Sequence, residues 1–251
     1  MFDEYSKIFD KRGEQYHQVM AEQPNARVEE FSNIVRFSDL KEGMNVLDIP
    51  SGGGYLSNYI NFKTNLTQIE TSRAFYQFAI DKSNAKSLHC EDIAKLPFSD
   101  KTIDRIISLA GLHHIEDRTP FFREAKRVVK NDGMLCIADV AEGSGPDRFL
   151  NVFVEENSSE GHKGLFINQR DIEHIENAGF IVKRSEIINY YWAYDSIEDM
   201  VDYTKKMFGI NQCADSKILK GIETYLGYKI QDGKVMMNWS LHFIQARSQI
   251  V

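Results

Sequence analysis

Val46-Leu47-Asp48-Ile49-Pro50-Ser51-Gly52-Gly53-Gly54-Tyr55-Leu56 decides the fold of this chain. A short apolar run delivers an acid, Asp48, into a Pro-Ser step and three successive glycines. A strand that enters a glycine-rich turn and opens a helix is suited to ligand binding. Without a Cβ the backbone can approach a ligand closely, and the start of a helix offers amide donors with no intrahelical partner. A buried acid beside the turn suits a ligand that carries an ammonium group. The next apolar run, residues 66–70, also ends in an acid. A carboxylate at the position of Glu70 can accept hydrogen bonds from ribose hydroxyls, as in dinucleotide sites. Turn and acid together point to an adenosine-bearing cofactor, which a glycine turn alone would not.

Working outward, strand-like and helix-like segments alternate. Residues 87–90 form a weak third strand and residues 105–109 a strong fourth. Thr119 offers an N-cap with Pro120 at the first helical position. Phe122, Ala125, Val128 and Val129 follow at helical spacing, and Asn131-Asp132-Gly133 ends that helix. Residues 134–140 form a fifth strand, 180–188 a sixth and 234–246 a last. The alternation predicts an α/β, doubly wound, mostly parallel seven-stranded sheet. Asn168 with Asp171, and Ser196 with Asp199, make capping boxes that open helices. Residues 1–43 read as an N-terminal helical cap: Val28, Phe31, Ile34 and Val35 lie on one face, and Tyr5, Ile8 and Phe9 suggest an earlier short helix. Residues 44–251 form the main domain, with a helical insertion at about 196–226 that forms part of the cover over a bound small molecule. Residues 141–164 are polar and read as a loop or lid.

Composition narrows the function. A net charge of −7 argues against a broad nucleic-acid surface, which needs a basic footprint. Cys90, Cys136 and Cys213 form no C-x-x-C pair, so no zinc site and no metal is expected. Sparse cysteines fit a reducing compartment. The charged N-terminus has no apolar core segment, and no run approaches the length of a membrane span. These features predict a cytoplasmic protein, monomer or homodimer, with no membrane and no nucleic acid among its partners.

The stretch 46–56 resembles the first motif of class I S-adenosylmethionine-dependent methyltransferases. Residues 91–98 (Glu-Asp-Ile-Ala-Lys-Leu-Pro-Phe) resemble that family's third-strand motif, residues 104–114 its fourth, and residues 123–139 its next helix, turn and strand. The resemblance covers residues 44–140 in order. It implies a Rossmann-like fold and S-adenosylmethionine as cofactor. Asp48 and the backbone of Gly52 and Gly54 would then surround the methionine part, and Glu70 would bind the ribose hydroxyls. Asp92 would accept from the adenine amino group beside the Ile93 backbone. The backbone near Leu109 and Ala110 would hold the ammonium group. Pro50 departs from the family, which has its first glycine there; proline fixes φ and removes an amide donor.

His113 and His114 follow the fourth strand, where the methyl acceptor would lie, and histidine is a natural general base near neutral pH. Tyr190, Trp192 and Tyr194 alternate onto one face, so Tyr190 and Trp192 are candidates to line an acceptor pocket. Tyr16 and His17 in the helical cap are candidates for its lid. The pocket is expected to be largely apolar. The function implied is methyl transfer to a small organic molecule. The rival readings are a nicotinamide-dependent oxidoreductase and a non-catalytic cofactor-binding module. Against the first, the turn lacks the G-x-G-x-x-G spacing, and no Tyr-x-x-x-Lys pair follows the fourth strand.

Overall fold

The computed structural model describes residues 3–82 and 85–249. The side chains of residues 3–9, 81 and 82 lie outside the described set, so the apolar face read at Tyr5, Ile8 and Phe9 is not addressed. The elements in chain order are α1 (Asp3–Glu22), α2 (Val28–Phe37), β1 (Asn45–Asp48), β2 (Asn65–Glu70), α3 (Arg73–Lys82), β3 (Lys86–His89), β4 (Ile103–Leu109), α4 (Thr119–Val128) and β5 (Val129–Asp139). Then come α5 (Gly145–Arg148), a π-helical turn Phe149–Val154, α6 (Glu155–Asn157), α7 (Gln169–Asn177), β6 (Phe180–Tyr194), α8 (Ile197–Phe208), α9 (Asp215–Tyr225), β7 (Tyr228–Gln231) and β8 (Lys234–Ser248).

One sheet runs in the order β3-β2-β1-β4-β5-β8-β6, with β7 paired to β8. β1 to β5 are mutually parallel, and β8 runs antiparallel to both β5 and β6. The central strands β1 and β4 are buried on both sides, as strands covered on two faces must be. Successive residues therefore feed two separate cores. Val46, Ile107, Cys136 and Phe243 face one side, against Phe31 and Ile34 of α2 and Met200 and Tyr203 of α8. Leu47, Ile106, Leu135 and Ile244 face the other, against Phe75, Phe121, Phe122 and Ile175 of the opposite helices.

Among the described residues the sheet has the seven expected strands plus one short extra strand, β7. Asp232 and Gly233, at φ 52° and 74°, make the tight hairpin of β7 and β8, a turn for which Asp-Gly is strongly preferred. Two expectations need correction. Residues 141–164 are not a loop throughout, because residues 145–157 are helical and bury Phe149, Leu150, Phe153 and Val154. The glycine turn opens only a 3-10 turn, Tyr55–Tyr59, rather than an α-helix. Ser57 and Asn58 are weak helix formers, and the chain must reach β2 at Asn65. By contrast, Asn168 and Asp171 form their reciprocal capping box, and the Ser196 hydroxyl accepts from the Asp199 amide.

The carboxyl ends of β1, β2, β4 and β5 present Asp48, Glu70, Leu109 and Asp139 along one edge. The strand order reverses between β1 and β4, the crevice where ligands of open α/β sheets bind.

Candidate functional site

The turn after β1 is tied down from below. The Ser51 amide donates to the Ile69 carbonyl (2.9 Å) and the Gly52 amide to Glu70 Oε2 (2.8 Å). Glu70 Oε1 accepts from the amides of Thr71 (2.8 Å) and Ser72 (3.0 Å). Glu70 is fully buried, so it organises the turn besides any role toward a ligand. Gly54 has φ 84°, and a Cβ on it would lie 2.8 Å from the Gln68 side-chain amide. The Pro50 ring packs against Gly111, where an added Cβ would sit 2.4 Å from Pro50 Cγ. Positive φ falls on Gly52, Gly53 and Gly54, so Pro50 stands where none is required.

Asp48 is buried, and its Oδ2 has no hydrogen-bond partner among the described residues. Burial, and then the neighbouring Glu70 carboxylate, push its carboxyl well above the usual range. A buried acceptor without a donor is costly in a folded protein unless a ligand supplies one. Asp48 lines a narrow cleft of about 30 Å³ with Pro50, Gly52, Leu109, Tyr55 and Tyr16. The orphaned Asp48 oxygen fits a donor-bearing cofactor. The open space at Gly52, where an added Cβ meets nothing within 4 Å, leaves room for one.

Asp92 is exposed; its Oδ1 accepts from the Ala94 amide (3.0 Å), and Lys95 lies 3.8 Å away. Ile93 is buried in the core. Ala110 has φ 49°, a left-handed conformation uncommon for a residue with a Cβ, and its amide donates to the Ala138 carbonyl (2.8 Å). Such residues persist where the surroundings hold them, often at functional sites.

Beyond Ala110 opens a second cavity of about 480 Å³. One wall is aromatic: Trp192 stacks on Trp239 with centroids 4.4 Å apart, and Phe208 of α8 lies parallel to both. Leu150, Met207 and Leu241 also line the cavity, as do Arg12, Arg27, Glu30, Glu155, Glu160 and three histidines. The lining exposes more apolar than polar surface, with the charged groups set into it. α8 contributes Met207 and Phe208, while no α9 residue borders the cavity.

His113 and His114 both line this cavity. His113 Nδ1 lies 2.7 Å from Asp139 Oδ1, and the His113 amide donates to Asp139 Oδ2 (3.1 Å). Burial opposes the Asp139 charge, but His113, Arg118 and the Val140 amide hold its carboxyl below the usual range. Burial and the nearby rings of His113 and His162 push His114 well below the ordinary histidine value. His162, within the segment read as a loop or lid, stands in the same cavity wall.

Of the residues assigned to the acceptor, Tyr16 and Trp192 border the large cavity, whereas His17 and Tyr190 do not. His17 stacks on Phe78 at 4.4 Å and hydrogen-bonds the Tyr55 hydroxyl, above the glycine turn. Tyr190 is buried and donates to Glu30 Oε2 (2.9 Å). The same oxygen accepts from Trp192 Nε1 (2.8 Å), and Glu30 pairs with buried Arg27. The Tyr16 hydroxyl accepts from Arg27 (2.7 Å). Sequence reasoning missed Arg27 and Glu30. Their exposed-looking helical context gave no sign of a partner, since that partner lies some 160 residues away on β6.

Residues 47–137 match the family model described as a methyltransferase domain. The methyltransferase GfsG of Streptomyces halstedii is 29% identical over 59% of this chain and 54% of its own length. The human mitochondrial arginine-hydroxylase NDUFAF5 is 26% identical over 80% of this chain and 65% of its own length. The chain thus spans less than two thirds of either relative. Their names denote different reactions, so this scaffold does not fix the chemistry. The phosphoethanolamine N-methyltransferase 2 of Haemonchus contortus, solved with phosphomonomethylethanolamine and S-adenosylhomocysteine, superposes with a TM-score of 0.65. It is 18% identical, and the match covers 99% of this chain and 59% of that one. No helix among the described residues is long and apolar enough to cross a membrane.

Proposed function

We propose that this chain, whose residues 47–137 match a methyltransferase domain, is a class I S-adenosylmethionine-dependent methyltransferase that transfers a methyl group to a small organic acceptor held in the cavity beside Ala110. One observation carries the reading. The cleft at the glycine turn is bordered by Leu109 and the larger cavity by Ala110, its neighbour in sequence, while Tyr16 and Arg27 border both. The two spaces meet at one peptide at the end of β4.

In this reading Asp48 and the backbone of Gly52 and Gly54 surround the methionine part, and Glu70 takes the ribose hydroxyls. Asp92 and the Ile93 backbone take the adenine, and the backbone at Leu109 and Ala110 holds the ammonium group. S-adenosylmethionine supplies an activated methyl group on a sulfonium. The chain's own contribution is to position the acceptor and exclude water. α1 brings Tyr16 to the border of the cleft. His113, fixed through Nδ1 by Asp139, borders the acceptor cavity, and His114 lies beside it with ring centroids 4.1 Å apart. The aromatic wall suits an acceptor with a flat or apolar skeleton. The cavity volume is that of a small-molecule site, and the acidic net charge disfavours a nucleic acid.

Incubation with methyl-labelled cofactor and a panel of small hydroxyl- and amine-bearing aromatic compounds tests this. Label in at least one acceptor is expected; binding of the cofactor with no transfer to any class of acceptor would favour a binding module. For Glu70→Ala, loss of charge-assisted hydrogen bonds worth about 1.5–3 kcal/mol predicts S-adenosylhomocysteine binding weaker by about tenfold or more. An unchanged dissociation constant in folded variant protein would reject the assignment.

A further inference from the structure

His113, His114 and His162 come from two segments far apart in sequence, yet one nitrogen from each lies within 4.8 Å of the others. All three border the large cavity. Two of the rings are oriented from behind. Asp139 Oδ1 accepts from His113 Nδ1 at 2.7 Å, and Asn151 Oδ1 accepts from His162 Nδ1 at 3.3 Å. Asn151 is oriented in turn, since the same oxygen accepts from the Gly164 amide (2.7 Å) and its amide nitrogen donates to the Gly164 carbonyl (2.8 Å). With Nδ1 protonated, the Nε2 lone pair of each ring is the one available to a ligand.

We propose that His113, His114 and His162 bind a divalent transition-metal ion, zinc by preference, with a coordination position open to the cavity. Three imidazoles, with a carboxylate behind one of them, are the donor set and outer shell of a catalytic zinc site. Imidazole ligands select zinc, iron, nickel or copper over magnesium or calcium. Closing the cluster onto an ion needs nitrogens about 3.3 Å apart, set by zinc–nitrogen bonds of about 2.0–2.1 Å. Side-chain rotation of the two partly buried rings, His114 and His162, can supply that closure.

The role of the ion rests on the reading of this cavity as the acceptor chamber; its binding does not. An acceptor hydroxyl bound at the open position would lose its proton to water more readily, leaving an oxygen nucleophile at neutral pH.

The test is titration of the chelator-treated protein with cobalt(II), followed by visible absorption. Saturable d–d bands at about one equivalent, displaced by zinc and without a strong thiolate charge-transfer band, are expected. His162→Ala and Asp139→Asn should each weaken cobalt binding by about tenfold to a hundredfold. His162→Gln serves as a second probe if the alanine variant does not fold. No saturable cobalt spectrum, a thiolate band showing cysteine ligation, or unchanged affinity in folded His162 variants overturns the site. Calorimetry with S-adenosylhomocysteine on the same samples reads the cofactor assignment separately.

Discussion

Glu30→Ala is expected to destabilise the fold by about 3–5 kcal/mol, the usual cost of leaving one member of a buried ion pair alone. Arg27 and Glu30 are 6% and 0% exposed. Burial works against the Arg27 charge, but Glu30, together with Tyr16 and Tyr203, holds its guanidinium firmly protonated. Removing Glu30 leaves that cation without its counter-charge and strips the acceptor from the Tyr190 hydroxyl and the Trp192 indole. Urea denaturation should show a lower midpoint with an unchanged slope, and thermal unfolding should fall on the order of 10 °C for a chain of this size. Glu30→Gln should lose less, because it keeps an acceptor for the two aromatic donors. The paired change Arg27→Met with Glu30→Leu should recover much of the loss, since no buried charge remains. A Glu30→Ala variant within about 0.5 kcal/mol of the parent, as for an ordinary surface change, would show that the pair does not hold the cap to the sheet.

Gly54→Val should both destabilise the turn and abolish measurable cofactor binding. The left-handed conformation costs a residue with a Cβ about 1–2 kcal/mol. Crowding against the Gln68 amide adds about 1–3 kcal/mol, because Gln68 is fully buried and held by its own bond to the Gly54 carbonyl (3.0 Å). The combined effect, about 2–5 kcal/mol, falls on the segment proposed to carry the methionine part. Circular dichroism and calorimetry together check it. A folded variant that binds S-adenosylhomocysteine as the parent does would remove the turn from the site.

The legible parts of the molecule were those whose causes are local. The run from Val46 to Gly54, the apolar β4, and the caps at Asn168 and Ser196 each carry their signal within a few residues. The helical segment 145–157 was obscured by Gly143, Gly145 and Pro146 at its start and by the acidic run at its end. Its buried Phe149, Leu150, Phe153 and Val154 were a readable stripe. The Asp232-Gly233 hairpin was also readable, but it merged into the reading of a single last strand. The acceptor side was the least legible because its contacts are long-range. Nothing near Glu30 announces Tyr190, and nothing near His162 announces His113. Aromatic alternation after Ile188 correctly grouped Tyr190 with Trp192, yet both serve first as donors to Glu30, and only Trp192 reaches the cavity wall. Asp92 was assigned by resemblance alone, and its exposed carboxylate caps the Ala94 amide at 3.0 Å.

The measurement that bears most directly on the central claim is a calorimetric titration of the full chain with S-adenosylhomocysteine, run beside one with a nicotinamide dinucleotide. Saturable binding of the first, weakened about tenfold or more by Glu70→Ala, with no heat from the second, is the predicted result. Tight binding of the dinucleotide and none of S-adenosylhomocysteine would contradict it.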